Sequence, residues 1–238
     1  MRTHTIPNPD NSPFVLSLCD YTGNIVEPWA EAGYRCICVD LSHPEEITVN
    51  GRVTLIRADV RLWLPPLANY RFVFAAPPCT DVAVSGARYF ASKGIGKLAE
   101  ALALVDACRT ICEWSGAPWL LENPVSTLST YWRKPDFYFD PYQYGGYDTP
   151  DDAYTKRTCL WTSSDFRMPP YKPVPPTQGS RMHRLPPDDD RTAVRSATPL
   201  GFARAVFRAN SDNALDNPKD EPLIASHHQA TLPYICHD

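Results

Sequence analysis

The sequence lacks any apolar run that approaches the roughly 20 residues a helix needs to cross a bilayer. Its first residues also lack the apolar core of a secretory signal. We therefore expect no membrane association and a cytoplasmic location. An excess of positive charge is missing too, since 27 Asp and Glu residues outweigh 23 Lys and Arg residues. This balance argues against a protein that grips duplex DNA by bulk charge, although a local basic cleft on an acidic body is compatible with it.

Cys-x-x-Cys pairs are absent, so the spacing typical of a structural zinc site is missing. The chain has eight cysteines, and several lie inside apolar runs, as small buried side chains do. Without a secretory signal we expect reduced thiols. The pairs His227-His228 and Cys236-His237 have no defined ligand spacing, and we expect no metal there.

What the sequence contains is a series of short apolar segments that alternate with helical ones. Strands are predicted at residues 14–19, 35–40, 53–56, 72–76, 119–122 and 158–161. Helices are predicted at 27–32, 97–114 and 200–209, and the second has apolar residues at three- and four-residue steps. This alternation predicts an α/β fold with a mainly parallel sheet.

Three polar side chains fall at or just past the ends of predicted strands, namely Asp40, Cys79 and Glu122. Ligands of open parallel sheets bind at the carboxyl ends of the strands, so we expect the chemistry at that edge. The sharpest motif is Pro77-Pro78-Cys79-Thr80, in which two prolines stiffen the turn and hold the thiol in a fixed direction. Cys79 is a good nucleophile if its pKa falls below the free value of about 8.5. The alternative is a small buried residue in a loop.

The second motif is Glu122-Asn123-Pro124, at the end of another predicted strand. A carboxyl group in that position can donate a hydrogen bond to a ring nitrogen or accept one from it. The alternative is a solvated acid before a turn, because Asn-Pro often begins one.

Together the two motifs resemble those of the cytosine-C5 DNA methyltransferase family, in which a Pro-Cys loop carries the nucleophile and a Glu-Asn-Val or similar triplet binds cytosine. Residues 77–88, with Gly86 and Arg88 downstream, are similar to the nucleophile loop, and Pro124 stands where Val is common. The resemblance spans roughly residues 15–161 and implies a Rossmann-like, S-adenosylmethionine-dependent methyltransferase fold. It also suggests a small enzyme of a phage or mobile element, of the restriction–modification kind.

The resemblance implies a mechanism as well. Cys79 adds to C6 of cytosine while Glu122 holds or protonates N3, so that C5 attacks the methyl group of S-adenosyl-L-methionine. A base then removes the C5 proton and Cys79 leaves. Lys156-Arg157, just before the strand at 158–161, resembles the family's basic motif near the extruded base. The alternative, equally good, is that the two residues are simply exposed on the surface. The substrate-binding residues implied are Pro78, Arg88, Asn123, Lys156 and Arg157.

The cofactor side matches the family less regularly. Only Gly23 remains of the usual Gly-rich turn, and Ser17 stands where an acid is typical. By the resemblance, Asp40 takes the ribose hydroxyls and Asp59 meets the adenine amino group, whereas the alternative for both is a surface acid in a turn. The cofactor-binding residues implied are Ser17, Leu18, Cys19, Gly23, Asp40, Leu41, Asp59, Val60 and Pro77.

We predict three parts: a catalytic domain at 1–162, a Pro-rich recognition segment at 163–190, and a closing helix and tail at 191–238. The middle segment is too short for a domain with its own core. We therefore expect an enzyme that reads very short sites in duplex DNA, acts on single strands, or takes its specificity from a partner protein. A free cytosine nucleotide or RNA is an alternative substrate. A catalytically silent DNA-binding module is a further alternative, which has no chemical need for Cys79 or Glu122.

Overall fold

The computed structural model describes residues 2–4, 6–148, 152–180 and 196–211. Its strands are β1 (Arg2–Thr3), β2 (Phe14–Leu18), β3 (Arg35–Val39), β4 (Ile47–Asn50), β5 (Val53–Ile56), β6 (Trp63–Leu64), β7 (Tyr70–Ala75), β8 (Trp119–Pro124), β9 (Phe137–Phe139) and β10 (Thr158–Thr162). Its α-helices are α1 (Glu27–Glu31), α2 (Phe90–Trp114), α3 (Leu128–Tyr131) and α4 (Leu200–Asn210), and a 3-10 helix, Val84–Tyr89, leads into α2.

Eight of these strands form one sheet in the order β4-β5-β3-β2-β7-β8-β10-β9. The central strands β5, β3, β2, β7 and β8 run parallel to one another, whereas β10 is antiparallel to both of its neighbours and β4 is antiparallel to β5. The strand order reverses between β2 and β7, which opens a crevice at the carboxyl ends of these strands. The predicted α/β class and the mainly parallel, Rossmann-like sheet are confirmed.

Both faces of the sheet are covered, which explains why its central strands are mainly apolar on both sides. All five residues of β2 are buried. Successive side chains point to opposite faces, so Leu16 joins the core beneath α2 and Val15 joins the core beneath α1 and α4. Aromatic side chains contribute to both cores, and in the second Trp29 stacks on Phe72.

Helix α2 is longer than predicted and has a break near its start. It begins at Phe90, and Gly94 has φ 77° and ψ 168°, a conformation that favours glycine. Beyond the break, Val105 and Cys108 lie on the apolar face that the sequence predicts and pack against the sheet. The first turns were missed because they contain two glycines and pack little apolar surface.

Other elements escaped prediction because their apolar pattern is weak. Strand β4 lies at the sheet edge and is largely exposed, and β9 is only three residues long. Near the start of the chain, the two-residue strand β1 pairs with β6 in parallel. No described helix is long and apolar enough to span a membrane.

The described part of the Pro-rich segment, residues 163–180, contains neither helix nor strand, as its prolines predict. It lies against residues 142–147 through backbone hydrogen bonds from Gly146 N to Lys172 O (2.9 Å) and from Val174 N to Tyr142 O (2.9 Å). Residues 181–195 and 212–238 lie outside the described part of the chain. The pairs His227-His228 and Cys236-His237, where we expect no metal, are among them. The seven cysteines that the structure describes are all free thiols.

The start of α4 approaches Tyr144 and Asp152, which lie between β9 and β10, closely at Gly201. Its backbone N–H donates to Asp152 Oδ2 at 2.7 Å. A Cβ atom there would collide with the Tyr144 carbonyl and lie 2.9 Å from the Asp152 carboxylate. Glycine is therefore required by packing at this position.

We predict that Gly201→Ala lowers the free energy of unfolding by about 1 to 3 kcal/mol, because a methyl group would be forced into backbone atoms. Gly96→Ala is the matched control, since a Cβ there meets nothing within 4 Å and helix propensity favours alanine by about 1 kcal/mol. Urea denaturation followed by circular dichroism measures both. Equal stability of Gly201→Ala and the wild type would show that α4 does not pack as described.

Candidate active site

The loop after β7 presents Cys79 at the carboxyl edge of the sheet. Pro77 is buried and Pro78 is exposed, and the half-buried Cys79 packs against the core beneath α2. The Cys79 carbonyl accepts hydrogen bonds from Val82 N at 3.1 Å and Ala83 N at 2.8 Å. These bonds close a tight turn after Cys79 and fix the position of its carbonyl group.

The loop after β8 is joined to the Cys79 loop by hydrogen bonds. Asn123, which is 1% exposed, donates from Nδ2 to the Pro77 carbonyl at 2.9 Å. Further along, Val84 N donates to Val125 O at 3.0 Å, and Thr127 N donates to Val82 O at 2.9 Å. We call this set of contacts the loop junction. It brings together the two motifs that the sequence predicts to share a site.

Glu122 lies on β8 beside a small cleft. It is half-buried, and the cleft is lined by Phe74, Glu122, Phe139, Lys156, Thr158, Ala197, Thr198, Pro199 and Phe202. Burial raises the pKa of Glu122, while the positive charge of Lys156 acts in the opposite direction. Because burial favours the neutral form, the Glu122 carboxyl can donate a hydrogen bond to a ring nitrogen.

The two residues of the predicted basic pair point to different places. Lys156 lines the cleft with Glu122. Arg157 is exposed and lies against β9, where its Nη1 is 3.6 Å from Asp140 Oδ2 and its guanidinium is 4.8 Å from the centre of the Tyr138 ring. The structure thus brings Lys156, but not the side chain of Arg157, beside Glu122.

Arg88 lies on the 3-10 helix after the nucleophile loop. It is exposed, and its guanidinium lies over the Tyr89 ring at 4.7 Å. It therefore stands on the surface near the loop junction and does not line the Glu122 cleft.

The loop after β2 is organised by Asp20, a residue that the sequence analysis missed. Its buried carboxylate accepts hydrogen bonds from Ser17 Oγ at 2.7 Å, from Gly23 N at 2.8 Å and from Thr22 Oγ1 at 3.2 Å. Burial raises the pKa of Asp20. The available signal was an acid followed three residues later by glycine, a spacing at which Asp side chains bond to the backbone of turns.

The residues in and before this loop that are predicted to bind the cofactor offer a ligand few accessible side chains. The side chains of Ser17 and Leu18 are fully buried. Cys19 has φ 56°, a conformation that non-glycine residues rarely adopt, and its Sγ lies 3.8 Å from Cys108 Sγ. Gly23 has φ 72°, which its lack of a Cβ permits. A ligand at this loop would therefore meet backbone atoms more than side chains.

Asp40 and Leu41 follow β3 at the same edge. Asp40 is half-buried and accepts a hydrogen bond from Ser42 N at 2.7 Å, while Leu41 is 65% exposed. Beside them Tyr21 stacks on His43, with ring centres 5.7 Å apart. Neither ring was predicted from the sequence to belong to the site.

His43 is buried, and its Nε2 has no hydrogen-bond partner within the described residues. Burial lowers the pKa of His43, against the nearby negative charges of Asp40 and Asp20. A neutral imidazole next to Asp40 can accept a hydrogen bond from a hydroxyl or amino group.

Asp59 and Val60 lie on the turn after β5. Asp59 forms a two-pronged ion pair with Arg61, whose Nε and Nη2 lie 2.9 and 2.6 Å from the two carboxylate oxygens, and this guanidinium lowers the pKa of Asp59. The side chain of Val60 is buried in the core. A ligand amino group at Asp59 would have to share the carboxylate with Arg61.

No protein family model and no curated protein matches this chain. Among solved structures, the chain is similar to the glycopeptide N-methyltransferase MtfA, with 17% identity and a TM-score of 0.29 over 50% of this chain and 49% of that one. It is also similar to MtfA complexed with S-adenosyl-L-homocysteine, with 16% identity and a TM-score of 0.27 over 68% of this chain and 60% of that one. The chain therefore spans only about half to three-fifths of the length of that enzyme. Likenesses this distant assign no reaction to the chain.

We predict that Asn123→Ala lowers the free energy of unfolding by about 1 to 3 kcal/mol, because it leaves the carbonyl of Pro77 without its donor in a buried setting. Asn210→Ala is a useful comparison, since Asn210 is also a buried amide with backbone partners but lies at the end of α4. Thermal unfolding measures both losses, and limited proteolysis measures the exposure of residues 77–84. Only Asn123→Ala should expose that loop; equal protection in both variants would rule out a role for Asn123 in holding it.

Proposed function

We propose that this chain is an S-adenosylmethionine-dependent methyltransferase that acts on C5 of cytosine through a covalent adduct at Cys79. The observation that carries this proposal is the loop junction. Asn123 joins the loop of the thiol to the strand of the carboxyl group, and the strand that precedes Cys79 is a parallel neighbour of the strand that carries Glu122. Addition to one ring with simultaneous contact at its N3 needs a nucleophile and an acid in such an arrangement.

The residues at the cofactor edge fit S-adenosylmethionine. Gly23 permits close approach of a ligand to the backbone, the Asp40 carboxylate suits ribose hydroxyls, and the exposed Leu41 offers apolar contact for an aromatic ring. The unpartnered Nε2 of His43 is a buried acceptor at the same place. When bound, the cofactor supplies an electrophilic methyl group.

The protein's own groups would act in sequence. The Cys79 thiolate forms a bond to C6 of cytosine while Glu122, whose protonated form is favoured by burial, donates a hydrogen bond to N3. This shift of electrons makes C5 nucleophilic. After methyl transfer a base takes the C5 proton, and the electron pair of that C–H bond expels Cys79 as a thiolate. Lys156 lines the same cleft and balances negative charge that develops on the ring.

We propose DNA as the substrate, read at short or loosely defined sites, with single strands used at least as well as duplex. Arg88 and Lys156 supply local positive charge on a chain whose net charge is −4. The described Pro-rich residues lie against the body of the protein through Lys172 and Val174, which leaves few side chains to read base edges. Extruding a base from a duplex costs a few kcal/mol, and a small interface offsets little of this cost. A partner protein would extend the recognised site.

A free cytosine nucleotide is the second candidate substrate. The acidic net charge and the small size of the cleft beside Glu122 favour it. Binding to oligonucleotides that weakens steeply with salt concentration would distinguish DNA from a single nucleotide.

We predict that an oligonucleotide containing 5-fluorocytosine, incubated with the protein and S-adenosylmethionine, becomes covalently attached to Cys79. Fluorine at C5 cannot leave as a proton does, so the adduct persists. Peptide mass spectrometry locates the adduct, and the comparison of single-stranded DNA, duplex DNA and the free nucleotide identifies the substrate. Oligonucleotides with ordinary cytosine are the matched control and should be methylated without lasting attachment. Equal trapping by Cys79→Ser would mean that another group is the nucleophile.

We predict that Asp40→Ala weakens binding of S-adenosyl-L-homocysteine by about 1 to 3 kcal/mol, because it removes one or two hydrogen bonds to ribose. Asp59→Ala should weaken binding by a smaller amount, since Arg61 already engages that carboxylate. Asp106→Ala is the control, because Asp106 pairs with Arg109 on the exposed side of α2. Calorimetry measures all three affinities. Unchanged affinity in both Asp40→Ala and Asp59→Ala would remove the cofactor-site assignment.

A further inference from the structure

The segment that follows Cys79 is tied to α2 by one lysine. Lys93 donates from Nζ to the Thr80 carbonyl at 2.9 Å and to Asp81 Oδ1 at 2.6 Å. These contacts join residues 12 and 13 positions apart in sequence. They close the intervening residues into a loop whose two ends meet beside the thiol.

The break in α2 sets the direction from which Lys93 approaches. Gly94, the next residue, has φ 77° and ψ 168°, so the turn that carries Lys93 is separate from the part of α2 that packs on the sheet. Because this left-handed conformation favours glycine, the sequence Lys93-Gly94 builds a turn whose orientation is independent of the longer helix.

Three carbonyl groups around the nucleophile are each held by a donor. Asn123 holds the carbonyl of Pro77, and the turn amides hold the carbonyl of Cys79. Lys93 holds the carbonyl of Thr80, and its bond is the charged one of the three. Charge-assisted hydrogen bonds are shorter and stronger than neutral ones, so this contact fixes the Thr80–Asp81 peptide plane, which is the second plane after Cys79.

We propose that Lys93 is a positioning residue for Cys79: through Thr80 and Asp81 it fixes the backbone after the nucleophile and so directs the thiol toward C6 of the cytosine. This role rests on the proposed cytosine-C5 reaction. The fixing of the loop itself does not depend on that reaction and can be measured separately.

The test compares Lys93→Met with Lys93→Arg, which keeps a charged donor, and with Lys97→Met. Lys97 lies one turn further along α2 and pairs with Glu100 at 2.8 Å, so its replacement removes a similar surface ion pair away from the nucleophile loop. Steady-state methylation of a cytosine-containing oligonucleotide gives kcat and the KM for S-adenosylmethionine. Hydrogen–deuterium exchange of the peptide containing residues 79–84 reports on the loop without any need for catalysis.

We expect Lys93→Met to lower kcat about tenfold, which corresponds to about 1.4 kcal/mol, and to leave the KM for S-adenosylmethionine and the melting temperature unchanged. Exchange of the loop amides should become faster. Lys93→Arg should recover most of the kcat and most of the protection of the loop amides from exchange. Lys97→Met should behave as the wild type. Asp81→Asn keeps an acceptor for Lys93 but removes the negative charge, so it tests the same contact from its other partner. Its kcat should lie between those of the wild type and Lys93→Met.

Wild-type kcat in Lys93→Met, or equal losses in Lys93→Met and Lys97→Met, would overturn the positioning role while leaving the proposed reaction in place. If the wild-type protein transfers no methyl group to cytosine, the proposed function fails, and with it the catalytic part of this role. Faster loop exchange in Lys93→Met alone would then still support the fixing of the loop by Lys93. If amide exchange of the loop is unchanged in both Lys93→Met and Asp81→Asn, Lys93 does not fix the loop.

Discussion

The hydrogen bond from Asn123 to the Pro77 carbonyl is the contact on which the candidate site depends. Strands β7 and β8 are already neighbours in the sheet, but pairing ends at Ala75 and Leu121, and the reactive groups come after that point. Without a cross-link the two loops would be free to diverge. The buried amide of Asn123, together with the backbone bonds from Val84 and Thr127, continues the pairing beyond the sheet. A flexible thiol thereby becomes one with a fixed position relative to Glu122.

Burial gives the polar groups at this edge different chemical properties. Asp20 and Glu122 both have raised pKa values because of burial, yet Asp20 is fully engaged within its own loop whereas Glu122 faces a cleft. Only Glu122 is therefore placed to donate to a ligand. Asp59 is the opposite case, because Arg61 stabilises its charged form. Three carboxyl groups of similar appearance in sequence thus have three environments: one organises a loop, one faces a cleft and one forms an ion pair.

Much of the fold could be predicted from the sequence because the central strands are buried on both faces and read as continuous apolar runs. Strand β4 could not, since it is exposed at an edge, and neither could the early start of α2, which depends on the unusual backbone of Gly94. At the site, parallel topology predicts that the ends of β7 and β8 share one edge, and the structure joins the Cys79 loop to the Glu122 strand there through Asn123. The roles of Cys79 and Glu122 stay predictions. Strand periodicity does not specify side-chain directions or ion-pair partners. It therefore could not predict that Lys156 and Arg157 point to different places. Nor could it predict that Asp59 pairs with Arg61.

The identity of the methylated atom tests the account most directly. Incubation of DNA with S-adenosylmethionine labelled in its methyl group, followed by digestion to nucleosides and chromatography, shows which base and which atom carry the label. The proposed covalent reaction at Cys79 predicts label in 5-methyldeoxycytidine, lost when Cys79 is replaced by alanine. Label in an amino-methylated cytosine or adenine, or in 5-methyldeoxycytidine formed equally well without the thiol, would contradict it.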